Sequence, residues 1–225
     1  MAWRDWVGTV EVEPSLYAAD FARLGEQIDE LLGAGVRVFH YDVGDGHFVE
    51  PITIGPIVLE SIAERIHAGG GAIDVHLMVD NPERHIPQVA RAGGDSVTFH
   101  VEVTDEPAAL MALAREHGLG AGVSFNPQTE VARAAAAAEG ADLCLCMSIN
   151  PGYSGQTFMP ETLPRIRELR GLLPPEVLVQ VDGGIGAGNV REVRDAGAAL
   201  LVAGSAVFGH GDLRASYRGL VQALE

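Results

Sequence analysis

The sequence predicts a single (β/α)8 barrel, the TIM-barrel architecture, and three observations carry that expectation. Eight short apolar runs rich in Val, Ile, Leu and Phe recur roughly 22–36 residues apart. Amphipathic stretches with helical spacing lie between them. Glycines close several of those stretches, among them Gly33, Gly35, Gly93, Gly118, Gly140, Gly171 and Gly197. A doubly wound sheet also alternates strands and helices, but it has no use for eight such even units. No linker or low-complexity segment divides the chain. Residues 1–225 are therefore read as one barrel domain with a short N-terminal extension over about residues 1–9.

The strands are expected, in order, at Val10–Leu16, Val36–Asp42, Ala72–Leu77, Ser96–Val101, Ala121–Phe125, Leu143–Met147, Val177–Val181 and Leu200–Ala203. After the first strand, Asp20 is placed to cap a helix carrying Phe21, Leu24, Ile28, Leu31 and Leu32 on one stripe. Thr129 precedes an Ala-rich helical run, Ala134–Ala138. Glu161–Leu173 and Asn189–Ala196 also have helical character. Trp3 and Trp6 precede the barrel, where they would cover its bottom or meet another subunit.

Composition bounds the function. Of 225 residues, 47% are hydrophobic and 20% charged, which suits a large core and excludes a disordered chain. The net charge of −16 would only halve if all eight His were protonated. Such a surface repels phosphate backbones, so nucleic acid is not an expected partner. An anionic substrate must bind in a local nest of donors. No apolar run reaches the roughly 18 residues that a membrane span needs, so no membrane association is expected. The N-terminus has neither the basic n-region nor the apolar h-region of a signal peptide. The two cysteines, Cys144 and Cys146, would lie about 7 Å apart on one strand, at the edge of what a disulfide tolerates. A reduced, cytoplasmic setting is the expectation. Both should pack outward against helices.

In such barrels the chemistry sits at the C-terminal ends of the strands. Side chains alternate across a strand, so His40 and Asp42 share one face with Gly44, opposite Tyr41 and Val43. The same parity turns His76 and Met78 inward on the third strand, and Gln180 and Asp182 on the seventh. His40, Asp42, His76 and Asp182 thus converge at one end of the lumen. Two imidazoles with carboxylates suit one divalent metal, Zn, Fe, Mn or Co, in preference to Mg. Without a cation two buried carboxylates would repel and their pKa values would rise. Glycine clusters follow three successive strands: Gly152, Tyr153, Ser154 and Gly155 after the sixth, Gly183 and Gly184 after the seventh, and Gly204 with Ser205 after the eighth. Glycines let backbone N–H groups approach an anion, and barrels often bind phosphate here. Neither a P-loop nor a dinucleotide fingerprint is present.

At these residues the chain resembles the ribulose-phosphate 3-epimerase family. The matching stretches are Glu13–Leu16 with Ala19–Ala22, His40–Val43 with Asp45–Val49, Ile52–Pro56, Asp74–Met78, Met147–Gly152, Val181–Gly184 and Val202–Gly209. Together they cover nearly all of the chain after about residue 10. The resemblance implies an isomerase of carbohydrate metabolism, in the pentose phosphate pathway, that inverts C3 of a ketose phosphate, D-ribulose 5-phosphate to D-xylulose 5-phosphate. It implies that His40, Asp42, His76 and Asp182 hold one divalent metal that stabilises an enediolate. Asp42 and Asp182 would be the two catalytic bases, on opposite faces of the substrate. Ser15 and His76 would touch substrate oxygens, Met78 and Met147 would line the site, and the glycine loops would cradle the phosphate. A homo-oligomer is expected.

Four residues depart from the family pattern. Gly44 stands where the family has Met, and Tyr17 where it has Leu, so the Tyr17 ring is a candidate to refill the Gly44 gap. Ser154 replaces a Gly, and Glu13 replaces a small residue. Glu13 should face the lumen below Ser15, with Gln180 as its hydrogen-bond partner, because an unpaired carboxylate there is costly. These departures leave open another ketose phosphate, such as allulose 6-phosphate, and a non-catalytic sugar-phosphate binding protein. A lyase of the same barrel type is disfavoured, because such relatives use a Lys and this chain has none. His67, His85 and His117 are expected in solvent, His47 beside the active loop, and His100 at the end of the fourth strand facing the lumen behind the ligands.

Overall fold

The computed structural model describes Val7 and residues 10–224. Trp3, Trp6 and most of the N-terminal extension lie outside the described residues. Eight parallel strands form one sheet: β1 (Glu11–Pro14), β2 (Val38–Gly44), β3 (Ala72–Met78), β4 (Ser96–His100), β5 (Gly120–Phe125), β6 (Leu143–Met147), β7 (Leu178–Asp182) and β8 (Leu200–Ala203). Their order is β1-β8-β7-β6-β5-β4-β3-β2. An isolated parallel bridge between Ser15 and His40 brings β1 to β2 and nearly closes the ring. The outer layer is α1 (Leu24–Leu32), α2 (Pro56–Ala68), α3 (Pro82–Ala92), α4 (Pro107–Glu116), α5 (Val131–Ala137), α6 (Thr162–Leu172), α7 (Val190–Asp195), α8 (Ser205–Phe208) and α9 (Leu213–Leu224). The expected barrel is therefore the fold. None of these helices is long and apolar enough to cross a membrane.

Strand parity divides the interior into two cores. Phe39, Tyr41 and Val43 of β2, Val75 and Leu77 of β3, and Val179 and Val181 of β7 pack outward beneath the helices. Cys144 and Cys146 join them as free thiols, as expected. Val38, Ala72, Leu143, Leu145, Met147 and Leu200 fill the lumen. His40, Asp42, His76 and Asp182 share the inward face with them, toward the strand C-termini.

Some helix boundaries differ from expectation for local reasons. Asp20 does cap, accepting the Ala22 N–H, but the segment it opens is a 3-10 turn over Phe21–Arg23. Phe21 consequently falls off the apolar stripe and is 49% exposed, while Leu24, Ile28 and Leu31 stay buried. Thr129 does not cap α5; Glu130 occupies the cap position, and the Thr129 hydroxyl turns toward Glu102. Gly171 lies within α6 and does not close it. α2, α3 and α4 open on Pro56, Pro82 and Pro107, where a fixed φ and an N–H not needed for the helix favour proline.

Candidate active site

Inward-facing residues of β2, β3 and β7 meet at the top of the lumen. One donor atom from each of His40, Asp42, His76 and Asp182 falls within 4.8 Å of the others. His76 Nδ1 and His40 Nε2 each lie 3.2 Å from Asp42 Oδ1. The second Asp42 oxygen accepts the Ser15 hydroxyl at 2.7 Å. His40 Nε2 is buried without a hydrogen-bond partner of its own. Two imidazoles, two carboxylates and a buried nitrogen without an aligned partner fit a divalent transition metal.

The two carboxylates have unlike proton affinities. Burial opposes the charge of Asp42, but His40 and then His76 outweigh it and hold the carboxyl far below the ordinary carboxylate range. Asp182 is pushed up to about 6, first by burial and then by the Asp42 charge. The Ser148 hydroxyl donates to the carbonyls of Asp182 (2.8 Å) and Gly183 (2.6 Å), pinning the end of β7. For His40, burial works against protonation, yet Asp42 and Asp74 raise the imidazole well above its usual value.

A second polar tier supports the first. Asp74 Oδ2 faces His40 Nδ1 at 3.2 Å, and Asp74 Oδ1 accepts the Ser96 hydroxyl at 2.5 Å. The Gln180 amide nitrogen donates to Asp74 Oδ2 (2.7 Å) and to Glu13 Oε2 (2.5 Å). Glu13 thus meets its expected partner. Burial first, then the charge of Asp74, pushes its carboxyl well above the usual carboxylate range. Asp74 shares the inward parity of His76 two residues on, and that register was the signal by which it could have been found.

An open cleft lies above the cluster. Its walls include Ser15, Tyr17, Asp42, Met78, Met147 and Asp182. Its rim carries Gly152, Tyr153, Ser154 and Gly155 after β6, Gly183 and Gly184 after β7, and Gly204 and Ser205 after β8. Every expected site residue except the buried His40 and His76 therefore lines one cavity. Gly184 has φ +64°, and a Cβ there would lie 2.4 Å from the Phe158 backbone nitrogen. None of the lining residues is an Arg, so an anion here would meet backbone N–H groups and hydroxyls.

The space nearest Gly44 is filled by the loop after β2 and not by the Tyr17 ring. A Cβ on Gly44 would meet Val49 Cγ2 at 2.9 Å, Thr53 Cγ2 at 3.0 Å and Pro51 O at 3.1 Å. The loop after β2 occupies that space because Thr53 is stitched to the strand end. Its hydroxyl accepts the Gly44 N–H (2.6 Å) and donates to the Asp42 carbonyl (2.8 Å). Gly44→Met should accordingly cost about 1–3 kcal/mol through overpacking. Thermal unfolding reads this directly, and an unchanged midpoint would overturn it. His47, placed beside the active loop, is exposed. Asp45 orders that loop instead, accepting the N–H groups of His47, Phe48 and Asp80 at 2.8 Å each. Of the other expected solvent histidines, His67 pairs with Asp95 at 2.9 Å.

A model of the ribulose-phosphate 3 epimerase family matches residues 11–208. The chain belongs to that family. It is 41% identical over 206 residues to the ribulose-phosphate 3-epimerase of Escherichia coli K12, covering 90% of this chain and 91% of the relative. It is 40% identical over 207 residues to the same-named protein of Bacillus subtilis, covering 90% and 94%. The chain is thus an isomerase acting on carbohydrates. Among solved structures it is similar to 3-hexulose-6-phosphate synthase from Salmonella typhimurium, at TM-score 0.73 and 18% identity over 96% and 98% of the two chains. Orotidine 5'-phosphate decarboxylase from Pyrococcus horikoshii gives TM-score 0.68 and 14% identity over 95% and 98%. At that identity the likeness is one of fold.

Proposed function

We propose that this chain inverts C3 of D-ribulose 5-phosphate to give D-xylulose 5-phosphate by two-base proton transfer. The observation that carries the reading is the pair Asp42 and Asp182, which come from separate strands, share one cluster and differ widely in proton affinity. A proton beside a carbonyl is too weakly acidic for an unaided carboxylate. A divalent cation held by His40, Asp42, His76 and Asp182 supplies Lewis-acid stabilisation of the charge that develops on the sugar oxygens.

The residues of the chain do the rest. One carboxylate takes the C3 proton from one face and the other returns a proton to the opposite face. Ser15 fixes the free oxygen of Asp42, leaving the acid less freedom to turn away from the substrate. Met78 and Met147 offer an apolar wall beside the reacting carbon. The glycine loops present backbone N–H groups to the phosphate. The relatives bearing the ribulose-phosphate name support the pentulose as substrate.

Incubation with D-ribulose 5-phosphate in D₂O with Mn²⁺, Fe²⁺ or Zn²⁺ should exchange the C3 proton and produce xylulose 5-phosphate. Proton NMR follows the C3 exchange. Conversion of a hexulose phosphate in preference to the pentulose would redirect the substrate, and no exchange with either would overturn the reading. Cation binding must also displace the proton that Asp182 holds up to about pH 6. Apparent affinity should therefore fall as pH drops through 6 toward 5. Titration calorimetry in two buffers of different ionisation enthalpy reads the released proton. A buffer-independent binding enthalpy at pH 6 would contradict it.

A further inference from the structure

We propose that Glu102, acting through His100, reserves the Nε2 of His76 for a proton and so makes Nδ1 the nitrogen His76 offers to a cation. The inference rests on the metal reading above and adds two positioning residues to it.

The geometry is a three-member chain of two buried histidines and a half-buried Glu102. His76 Nε2 lies 2.9 Å from His100 Nε2, and His100 Nδ1 lies 3.1 Å from Glu102 Oε2. The two histidine rings stack at 5.0 Å with 27° between their planes. Phe48, from the loop after β2, packs on His100 at 4.6 Å. Both histidines are fully buried, so no water competes for these nitrogens.

Proton counting then fixes the tautomers. Glu102 Oε1 already accepts the Asn126 N–H at 2.9 Å and the Thr129 hydroxyl. A carboxylate so surrounded by donors is an ionised acceptor, and the nitrogen facing its other oxygen must carry a proton. His100 is therefore protonated at Nδ1. In a neutral ring the remaining nitrogen, Nε2, is bare and can only accept. The 2.9 Å contact between the two Nε2 atoms holds one proton, and His76 must be its donor. With Nε2 so engaged, His76 presents Nδ1 to the site, where it already faces Asp42 Oδ1 at 3.2 Å.

His40 is treated in mirror fashion. Its Nδ1 faces Asp74, leaving Nε2 toward the cluster. A ligating histidine usually donates its other N–H to a carboxylate or carbonyl, which fixes the ring and raises its basicity. Here one ligand has its carboxylate directly and the other has it one imidazole away. The indirect arrangement ties the ligand on β3 to the turn after β4 and the loop after β5, which supply Glu102 and its own donors.

The test uses His100→Phe and Glu102→Gln in the full chain. His100→Phe keeps a ring between His76 and Phe48 but removes the acceptor, so a packing role would survive it. The expected result is a fall in Zn²⁺ affinity of about 10–100-fold, read by competition with a chromophoric chelator. Glu102→Gln should fall by less, since its amide oxygen can still face His100. ¹⁵N-histidine NMR of the metal-free protein provides a second readout. The parent should show a protected ¹⁵N–¹H signal at His76 Nε2 that His100→Phe loses. Affinity within twofold of the parent in His100→Phe overturns the proposal, as does a His76 Nε2 without a proton in the parent. If His100→Phe does not fold, Glu102→Leu, which removes the acceptor, at parental affinity and with the parental NMR pattern overturns it equally. A parent that shows the NMR pattern yet takes up no metal would instead overturn the metal reading.

Discussion

Asp182→Asn should lower conversion of D-ribulose 5-phosphate by about 10²–10⁴-fold at saturating cation, the range in which one positioned acid or base contributes. The amide can neither take nor return a proton. Asp42 remains, held by Ser15 and flanked by His40 and His76. The epimer whose C3 proton faces Asp42 should therefore still exchange that proton with D₂O without inverting, while the other epimer does neither. This asymmetry separates loss of a base from weakened cation binding, which would slow both epimers alike. The experiment offers each epimer separately to the variant and follows C3 by NMR, with cation affinity measured alongside. Equal loss of exchange from both epimers would sink the two-base assignment. The unlike proton affinities of the pair give the physical reason to expect it. Without a cation one carboxyl is held up to about 6 and the other far below the usual range, so the two sit in unlike surroundings although they share one cluster.

The barrel was legible because its signal is repetitive. Eight apolar runs at similar spacing constrain each other, so an offset of two residues at Val36 or of one at Val177 does not change the topology. The four-residue cluster was legible from parity alone: His40 and Asp42 are two apart, and the outward Tyr41 between them is apolar. Other features hide in single residues with several uses. Thr129 precedes an Ala-rich run, where Thr is a common helix-start residue, yet its hydroxyl serves Glu102. Glu102 itself follows β4 in a 3-10 turn, where strand parity no longer applies. Tyr17 sits in such a turn as well, so its inward register on β1 could not be extended to Gly44. Asp45 drew no attention because its role is to collect three backbone N–H groups, two of them local, and sequence spacing does not display that.

The buried tier beneath the cluster supplies the largest stability effect we expect. Asp74 accepts from Ser96 and Gln180 and faces the Nδ1 of His40, all buried. Asp74→Ala would strand these polar groups and leave the His40 Nδ1 without the carboxylate it faces. Breaking such a buried charged arrangement from one side typically costs about 3–5 kcal/mol. Cation affinity should fall with it, because His40 loses the contact that orients its ring. Glu13→Ala is the informative contrast. The Glu13 carboxyl is pushed well up by burial, holds one bond from Gln180, and its Oε1 has no partner. Its loss should cost only about 1–2 kcal/mol, near the value of one buried hydrogen bond. Chemical denaturation of the two variants compares them, and a Glu13→Ala cost equal to that of Asp74→Ala would contradict this division. Acid provides a second discriminator. Burial opposes ionisation of Asp74, but the His40 contact and charge, with Ser96 and Gln180, hold its carboxyl below the usual value. A group so depressed contributes stability above its unfolded pKa and loses that contribution as pH falls through the folded one. The parent should therefore lose more stability on acidification below about pH 4 than Asp74→Ala does, since the variant no longer has this carboxylate to protonate.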